Sequence, residues 1–241
     1  MDEVTRKLDL YEFLMDFVSH EIRNPLNSII MFANLMNEKA YGEMTDEQQE
    51  VLKRILGSAY RIEHMTGDFL NMRRVDSKEE MLHREWLNLK KDVILVTLND
   101  LADKFPHFAD RLSGVQEGDC MVGKIFADRQ LMVTLYDNLF FNAIKYGRED
   151  GRITWDCLVE DDHWLMRVYN EGKGVRPEDL GAIFGKFVRI KDTDLPSQPG
   201  TGLGLYNVQR IVKLHGGEIW AESDYGRNFA VWFTIKIPER G

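Results

Sequence analysis

His20 and Glu21 are neighbours in the string H-E-I-R-N-P, residues 20–25. A neutral imidazole is a good nucleophile toward a phosphoryl group, and an adjacent carboxylate can take its proton or hold its tautomer. Asn24 follows four residues after His20 and shares its face on a helix. Pro25 lacks an N–H, so the Glu21 carbonyl loses its helical partner and the helix should bend there. A proline inside a helix costs about 3 kcal/mol. A sequence that carries one beside a solvent-facing His–Glu pair gains something from it. Taken alone, the pair also reads as a solvated helix histidine with a chance carboxylate. His64 and His83 lack such company and read as surface or linker residues.

A second set of candidates sits further along. In N-L-F-F-N-A-I-K-Y, residues 138–146, helical spacing puts Asn138, Asn142 and Lys145 within two turns. Carboxamide oxygen suits a hard Mg2+ ion, and lysine suits a phosphate oxygen. Amides on the wet face of a helix are the plainer alternative. N-E-G-K-G-V, residues 170–175, follows a predicted strand. Gly172 and Gly174 permit close backbone approach to a planar base, or simply make a turn. Phe184 and Phe187 in I-F-G-K-F-V-R are one turn apart, as in ordinary core packing. G-T-G-L-G-L, residues 200–205, opens a helix after an aperiodic stretch, Lys191–Pro199, that reads as a flexible loop. Three glycines at a helix N-terminus expose N–H groups suited to a phosphate chain, or belong to a plain surface loop. The segment lacks the strand–turn–helix unit of a dinucleotide fingerprint and the Lys-Ser/Thr of a P-loop.

The elements that must position these residues fall into two groups. Val4, Tyr11 and Val18 recur every seven residues, with Leu8, Leu14, Ile22 and Ile29 on a similar stripe, predicting a helix to about Asn37. Gly42 marks a turn, and Thr45 with Gln48 forms a capping box. A second helix then carries Val51, Leu52, Ile55, Ala59, Ile62, Met65, Phe69 and Met72 at spacings of three and four. One hairpin cannot bury both stripes, so two are expected to pair into a four-helix bundle, making the chain a homodimer. Asp76–Glu80 reads as a linker. Beyond it the pattern predicts a strand at Leu82–Trp86, a helix at Asn88–Lys104, a strand at Cys120–Ala127 and a helix at Arg129–Tyr146. A hairpin follows, Ile153–Glu160 and His163–Tyr169 around Asp161-Asp162. Then come a helix at Gly204–His215 and strands at Ile219–Glu222 and Phe229–Ile237. Helices and strands without strict alternation predict an α+β sandwich, one sheet covered by helices on one face.

Composition narrows the classes. The 241 residues are 44% hydrophobic and 29% charged, enough for a core that needs neither disulfide nor metal. The net charge of −9 is dispersed, which argues against a nucleic-acid surface. Cys120 and Cys157 have no metal-ligand spacing and read as free thiols of a reducing cytosol. No run approaches the roughly 18 apolar residues of a membrane span, and Met1–Leu10 has no signal-peptide core. The expected location is cytoplasmic, whether or not the chain is cut from a membrane-attached parent.

The full string at 20–25 resembles the phosphoacceptor motif of the histidine kinase family. Residues 138–146 resemble that family's N box and residues 183–189 its F box. With the glycine segments and H-G-G-E-I-W at 215–220 they occur in family order over nearly the whole chain. The resemblance implies a dimerisation and phosphotransfer hairpin at residues 1–76. It implies a Bergerat-type ATP-binding α/β sandwich of the GHKL superfamily at 77–241. It makes His20 the phosphoacceptor, Glu21 the general base, and Asn24 the residue that orients water for dephosphorylating a partner. It makes Asn142 a ligand of Mg2+, Lys145 a phosphate contact and Tyr146 a nucleotide contact. Asn138, Asn170, Gly172, Gly174, Val175, Phe184, Phe187, Arg189, Gly200, Thr201, Gly202, Leu203, Gly204 and Leu205 complete the ATP site. The implied partner is a response-regulator receiver domain, docked on the helix face around Glu21–Asn27 and the polar turn. The rivals are a kinase-impaired module that docks or dephosphorylates the regulator, a related ATPase, and a dimerisation scaffold.

Two places depart from the family. The position of Asn170 is usually aspartate, which accepts the adenine amino proton. The segment Y-G-R-N-F-A, residues 225–230, stands where relatives commonly carry a glycine-serine-threonine run, a change expected to alter a hairpin rather than the ATP site.

Overall fold

In the computed structural model the described residues are 21–77, 82–105, 108–120, 122–190 and 200–238. His20, the earlier part of the first helix, the Lys191–Pro199 stretch and the end of the Asp76–Glu80 stretch lie outside them. The chain divides into two compact units, Met1–Arg74 and Val75–Gly241.

In the first unit, helix α1 covers residues 21–37 and α2 spans Asp46–Ser77. The capping box forms as expected: the Thr45 N–H donates to Gln48 Oε1 (2.9 Å), and the Gln48 N–H donates to Thr45 Oγ1 (3.2 Å). Lys39 (φ 61°) and Gly42 (φ 108°) take the left-handed turns that reverse the chain. Leu26 and Ala33 of α1 and Leu52, Leu56, Ala59 and Tyr60 of α2 are buried, and Asn34 Nδ2 donates to Tyr60 Oη at 3.2 Å. The apolar stripe is broader than the seam between the helices. Ile22, Ile29, Phe32 and Met36 of α1 and Val51, Ile55 and Ile62 of α2 remain exposed. Thus Ile22, Ile29, Val51, Ile55 and Ile62, expected as packing positions, are not covered within one chain. His64 is not a surface residue: its side chain is 15% exposed, and Nδ1 lies 3.8 Å from Asp68 Oδ1, one turn on. α2 also runs through Asp76 and Ser77, where a linker was expected to begin.

In the second unit, β1 (Arg84–Leu87) pairs antiparallel with β3 (Ile125–Asp128) as a separate ribbon. A π-helical turn, Leu89–Ile94, leads into α3 (Leu95–Lys104). The single regular helix expected over Asn88–Lys104 therefore starts wider. Its start is fixed by Asn88, whose Oδ1 accepts from Lys91 N–H (2.9 Å) and whose N–H donates to Asp92 Oδ2 (2.7 Å). Helix α4 (Ala109–Ser113) and strand β2 (Gln116–Cys120) follow. The one strand expected over Cys120–Ala127 is thus two strands in different sheets, separated by a bend at Gly123.

Helix α5 (Arg129–Tyr146), strands β4 (Ile153–Glu160) and β5 (His163–Glu171), helix α6 (Gly204–Leu214), and strands β6 (Ile219–Asp224) and β7 (Asn228–Lys236) complete the unit. The large sheet has the order β2-β4-β5-β7-β6, with β2 parallel to β4 and the other pairs antiparallel. Strict alternation of burial along β5 sends Trp164, Met166 and Val168 to the core, with Phe233 and Ile235 of β7 beside them. Tyr136 and Phe140 of α5 are fully buried, and Tyr136 meets Phe233 edge-on at 5.9 Å. Asp128 fixes the start of α5 through Oδ1 and Leu131 N–H (3.1 Å). Arg111 of α4 holds its end, donating to the Ile144 carbonyl (2.5 Å) and the Arg148 carbonyl (2.8 Å).

Candidate functional site

The described candidate residues of the second unit gather where the end of α5 meets the start of α6. Asn138 is buried, and its Nδ2 donates to the Thr134 carbonyl at 2.9 Å. Its Oδ1 has no hydrogen-bond partner among the described residues. A β-carbon on Gly204 would stand 2.8 Å from that oxygen and 3.7 Å from Asn142 Nδ2. A β-carbon on Gly200 would stand 2.9 Å from Lys145 Nζ. The glycines therefore let the loop backbone lie on the polar face of α5; a side chain at Gly204 would press on the buried Asn138, and one at Gly200 would displace the end of Lys145. Lys145 Nζ also sits 4.7 Å over the Tyr146 ring, which is exposed.

Gly202 has φ 71° and packs on the end of the I-F-G-K-F segment, where its β-carbon would meet the Val188 carbonyl oxygen at 2.6 Å and the Phe187 carbonyl carbon at 2.7 Å. Phe187 itself has φ 62°, a conformation that bulky residues rarely adopt, and its ring is exposed, while Phe184 is buried. The two phenylalanines thus do not form a packed pair. One anchors the segment and the other is presented outward beside the glycine loop. Arg189 is exposed nearby in sequence. Thr201 Oγ1 accepts from the Leu203 N–H (3.1 Å), and Leu203 is fully buried at the start of α6, so the loop enters the helix with its backbone fixed. Leu205 is half-buried.

A third strand end closes the cluster. Gly147 and Gly172 form an antiparallel bridge. A β-carbon on Gly172 would meet Gly147 Cα and the Tyr146 carbonyl, each at 2.8 Å. Tyr146 and the 170–175 segment are thereby adjacent. Asn170, at the end of β5, is 5% exposed, and its Nδ2 makes a long 3.4 Å donation to the Glu171 carbonyl. Gly174 (φ 69°) abuts Ser223 Oγ, which accepts from the Val175 N–H at 2.9 Å and donates to the Asn228 carbonyl at 2.8 Å.

This last contact corrects the expectation that the 225–230 hairpin is remote from the site. The Gly172 N–H donates to the Arg227 carbonyl (3.0 Å), and the Gly226 N–H donates to the Lys173 carbonyl (2.6 Å). Lys173 and Arg176 approach the Tyr225 ring at 5.8 and 5.0 Å. That Ser223, Tyr225 and Arg227 contact the 172–176 segment escaped the sequence because a serine and two turn residues carry no spacing signal.

For a divalent cation the available donors are carboxamides: the orphaned Asn138 Oδ1 and the half-buried Asn142. Neutral oxygen donors fit Mg2+ when phosphate oxygens supply the remaining ligands and the negative charge. In the first unit Glu21 and Asn24 are both exposed, as a docking or catalytic face requires.

Two family descriptions match this chain in tandem. Residues 12–78 match the His Kinase A (phospho-acceptor) domain, and residues 127–239 match the histidine kinase-, DNA gyrase B- and HSP90-like ATPase domain. The chain belongs to the sensor histidine kinase family.

Sensor histidine kinase WalK of Bacillus subtilis is 28% identical over 228 residues, covering 92% of this chain and 36% of WalK. The circadian input-output histidine kinase CikA of Synechococcus elongatus is 30% identical over 235 residues, covering 95% of this chain and 30% of CikA. The chain therefore spans about a third of the length of these kinases. Among solved structures, full-length ShkA in complex with AMPPNP matches with a TM-score of 0.65 at 23% identity, covering 92% of this chain and 45% of ShkA. The Acinetobacter baumannii histidine kinase AdeS matches with a TM-score of 0.56 at 20% identity, covering 91% of this chain and 98% of that one. Those likenesses extend the shared kinase fold over both units. No described helix is long and apolar enough to cross a membrane.

Proposed function

We propose that this chain is a kinase core that uses ATP to phosphorylate His20 and passes the phosphoryl group to an aspartate of a response-regulator receiver domain. The observation that carries the reading is the packing of Gly200 and Gly204 onto Lys145 and Asn138. It brings N–H groups at the start of an eleven-residue helix beside a lysine and two carboxamides. An anionic phosphate chain fits that arrangement.

In this reading residues 1–76 dimerise and carry the phosphoacceptor, and residues 77–241 bind ATP. The exposed Ile29, Phe32, Met36, Val51, Ile55 and Ile62 support a second hairpin as the dimer partner. Asn170, Gly172, Gly174 and Val175 receive the base, with Tyr146 against the nucleotide. Lys145 and Arg189 neutralise phosphate charge, and the backbone of Gly200 to Leu205 cradles it. Phe184 anchors the covering segment and Phe187 lies against the loop. Asn142, with Asn138 beside it, would hold Mg2+, which would supply positive charge against the phosphate oxygens. Glu21 takes the imidazole proton as His20 attacks, and Asn24 orients water when the partner is dephosphorylated. The exposed face around Glu21–Asn27 docks the receiver domain. The core works in the cytoplasm.

Incubation with γ-labelled ATP and Mg2+ tests this. The expected product is an acid-labile, base-stable label on His20 that is lost in His20→Ala and passes to a receiver domain. ATP hydrolysis without such a label would overturn it in favour of a plain ATPase. Asn170 favours one second reading, a nucleotide-binding module that mainly dephosphorylates or docks the regulator. That reading requires Mg-ATP binding without label.

A further inference from the structure

The chain contains two cysteines, Cys120 and Cys157. Both are free thiols, and the sheet sets them directly opposite one another: Cys120 on edge strand β2 is the register partner of Cys157 on β4. Register partners share a face of the sheet. Neighbouring strands lie about 4.8 Å apart, inside the roughly 4.4–6.8 Å Cα separation that disulfides span.

The surroundings differ in a useful way. Cys157 is fully buried under the helices, while Cys120 ends the outermost strand and is partly exposed. The ladder between the strands breaks just before Cys120, at a register shift between Glu117 and Cys120. Asp156 sits at that break. Its Oδ1 accepts from the Asp119 N–H (2.8 Å) and its Oδ2 from Arg167 Nε (2.6 Å), so the strand end is held by a side chain rather than by regular pairing. A bulged edge has slack that a central strand lacks.

We propose that Cys120 and Cys157 join in a reversible intramolecular disulfide when the chain meets a peroxide. The Cys120 thiolate attacks one peroxide oxygen, the O–O bond breaks, and a sulfenic acid and water result. The Cys157 sulfur then attacks that sulfenic sulfur, its proton leaves with the hydroxyl as a second water, and the S–S bond forms. Two thiols lose two electrons and the peroxide gains them. Cys120 goes first for two reasons. It is the accessible thiol, and burial pushes the Cys157 thiol up to about 12, leaving it protonated. Burial and Glu117 also raise the Cys120 thiol, opposed by the Val122 backbone and, least, by the Lys90 ammonium.

The bond has a route to the site. Tyr136 of α5 is fully buried and lies within electrostatic reach of both thiols, and α5 carries Asn138, Asn142 and Lys145. Pinning β2 to β4 beneath Tyr136 shifts Mg-ATP affinity. This consequence rests on the proposed nucleotide role of α5.

The test treats the full chain with hydrogen peroxide, blocks remaining thiols under denaturing conditions, and measures intact mass and digested peptides. The expected product is a monomer two hydrogens lighter, with a Cys120–Cys157 cross-linked peptide that dithiothreitol reverses. Cys120→Ser and Cys157→Ala should each abolish it. Cys120 driven to sulfinic acid beside a free Cys157, or bridging only between chains, would overturn the proposal. In the same samples Mg-ATP affinity should change at least about twofold in oxidised wild type and stay constant in Cys120→Ser. Equal affinities in oxidised and reduced wild type would overturn the coupling and leave the bond. If the reduced protein bound no Mg-ATP, the nucleotide reading would fail, and the mass measurement would still decide the disulfide.

Discussion

Gly204 lies over Asn138, with space for a hydrogen but not a methyl: a β-carbon there would stand 2.8 Å from the buried Oδ1. The carboxamide would have to turn away or α6 would have to lift off α5. Either movement spoils the close contact between the start of α6 and the amide face of α5. Gly204→Ala should therefore lower Mg-ATP affinity about tenfold, or about 1.4 kcal/mol, with the circular dichroism of the helices unchanged. Calorimetric titration decides it, and an affinity equal to wild type would show that the contact does not shape the site.

Asn170 sets a second expectation. Its carboxamide is almost fully buried at the end of β5, and Nδ2 is directed at the Glu171 carbonyl. The oxygen is then the acceptor it offers to a base. A bond to a charged acceptor is worth about 1.5–3 kcal/mol and to a neutral one about 0.5–1.5. Asn170→Asp should tighten ATP about fivefold. It should also weaken GTP, because a carboxylate repels guanine O6 and a turned amide can donate to it. Titration of both nucleotides into both proteins checks this. Unchanged ATP affinity and an unchanged ATP/GTP ratio would refute it.

Much of this was legible from local chemistry. Helix α5 begins and ends where its apolar run does, at Arg129 and Tyr146, because Asp128 caps one end and Gly147 terminates the other. The Thr45–Gln48 box and the Asp161-Asp162 hairpin were legible for the same reason: each is decided within a few residues. What escaped depends on distant partners. Gln116–Cys120 looks polar and exposed, and is a strand only because β4 and the Asp156 carboxylate hold it. Ser223 and Arg227 join the site through backbone contacts to the 172–175 loop, which no spacing rule reveals. The exposure of Ile29 and Ile55 likewise follows from which neighbours one chain supplies.

Gly217 explains part of the H-G-G-E string in purely steric terms. A β-carbon on it would fall 1.7 Å from the Thr234 carbonyl oxygen, which is backbone and cannot step aside. The same stretch is laced to β7: the Glu218 N–H donates to Thr234 Oγ1 (2.9 Å), and the Thr234 N–H donates to the Glu218 carbonyl (2.8 Å). Gly217→Ala should cost about 3 kcal/mol or more, read as a drop in the urea midpoint with the wild-type slope. The neighbouring Gly216→Ala meets nothing closer than 3.5 Å, so its smaller cost should come from φ 72° alone. Equal costs for the two variants would contradict the steric account.

His215 makes the second unit sensitive to acid. Its ring is buried, Nε2 accepts from the Asp128 N–H (3.0 Å), and Nδ1 faces the Ile211 carbonyl at 2.8 Å. Nδ1 must therefore carry the single proton, and a second proton on Nε2 would oppose the Asp128 N–H. Burial pushes the imidazole below its ordinary range; the Ile211 carbonyl opposes this in part, Arg84 adds to it, and Asp128 opposes it least. The unfolded chain then binds the proton more readily than the folded one. Stability is complete above the unfolded value of about 6.5. It falls as the pH drops from there toward the folded value, by at most about 1.4 kcal/mol per pH unit, and levels off below it. Urea unfolding across this range should show that slope in wild type. His215→Gln, which cannot titrate, should start less stable near neutrality and lose this contribution to the slope. An identical pH dependence in both proteins would place the acid sensitivity elsewhere.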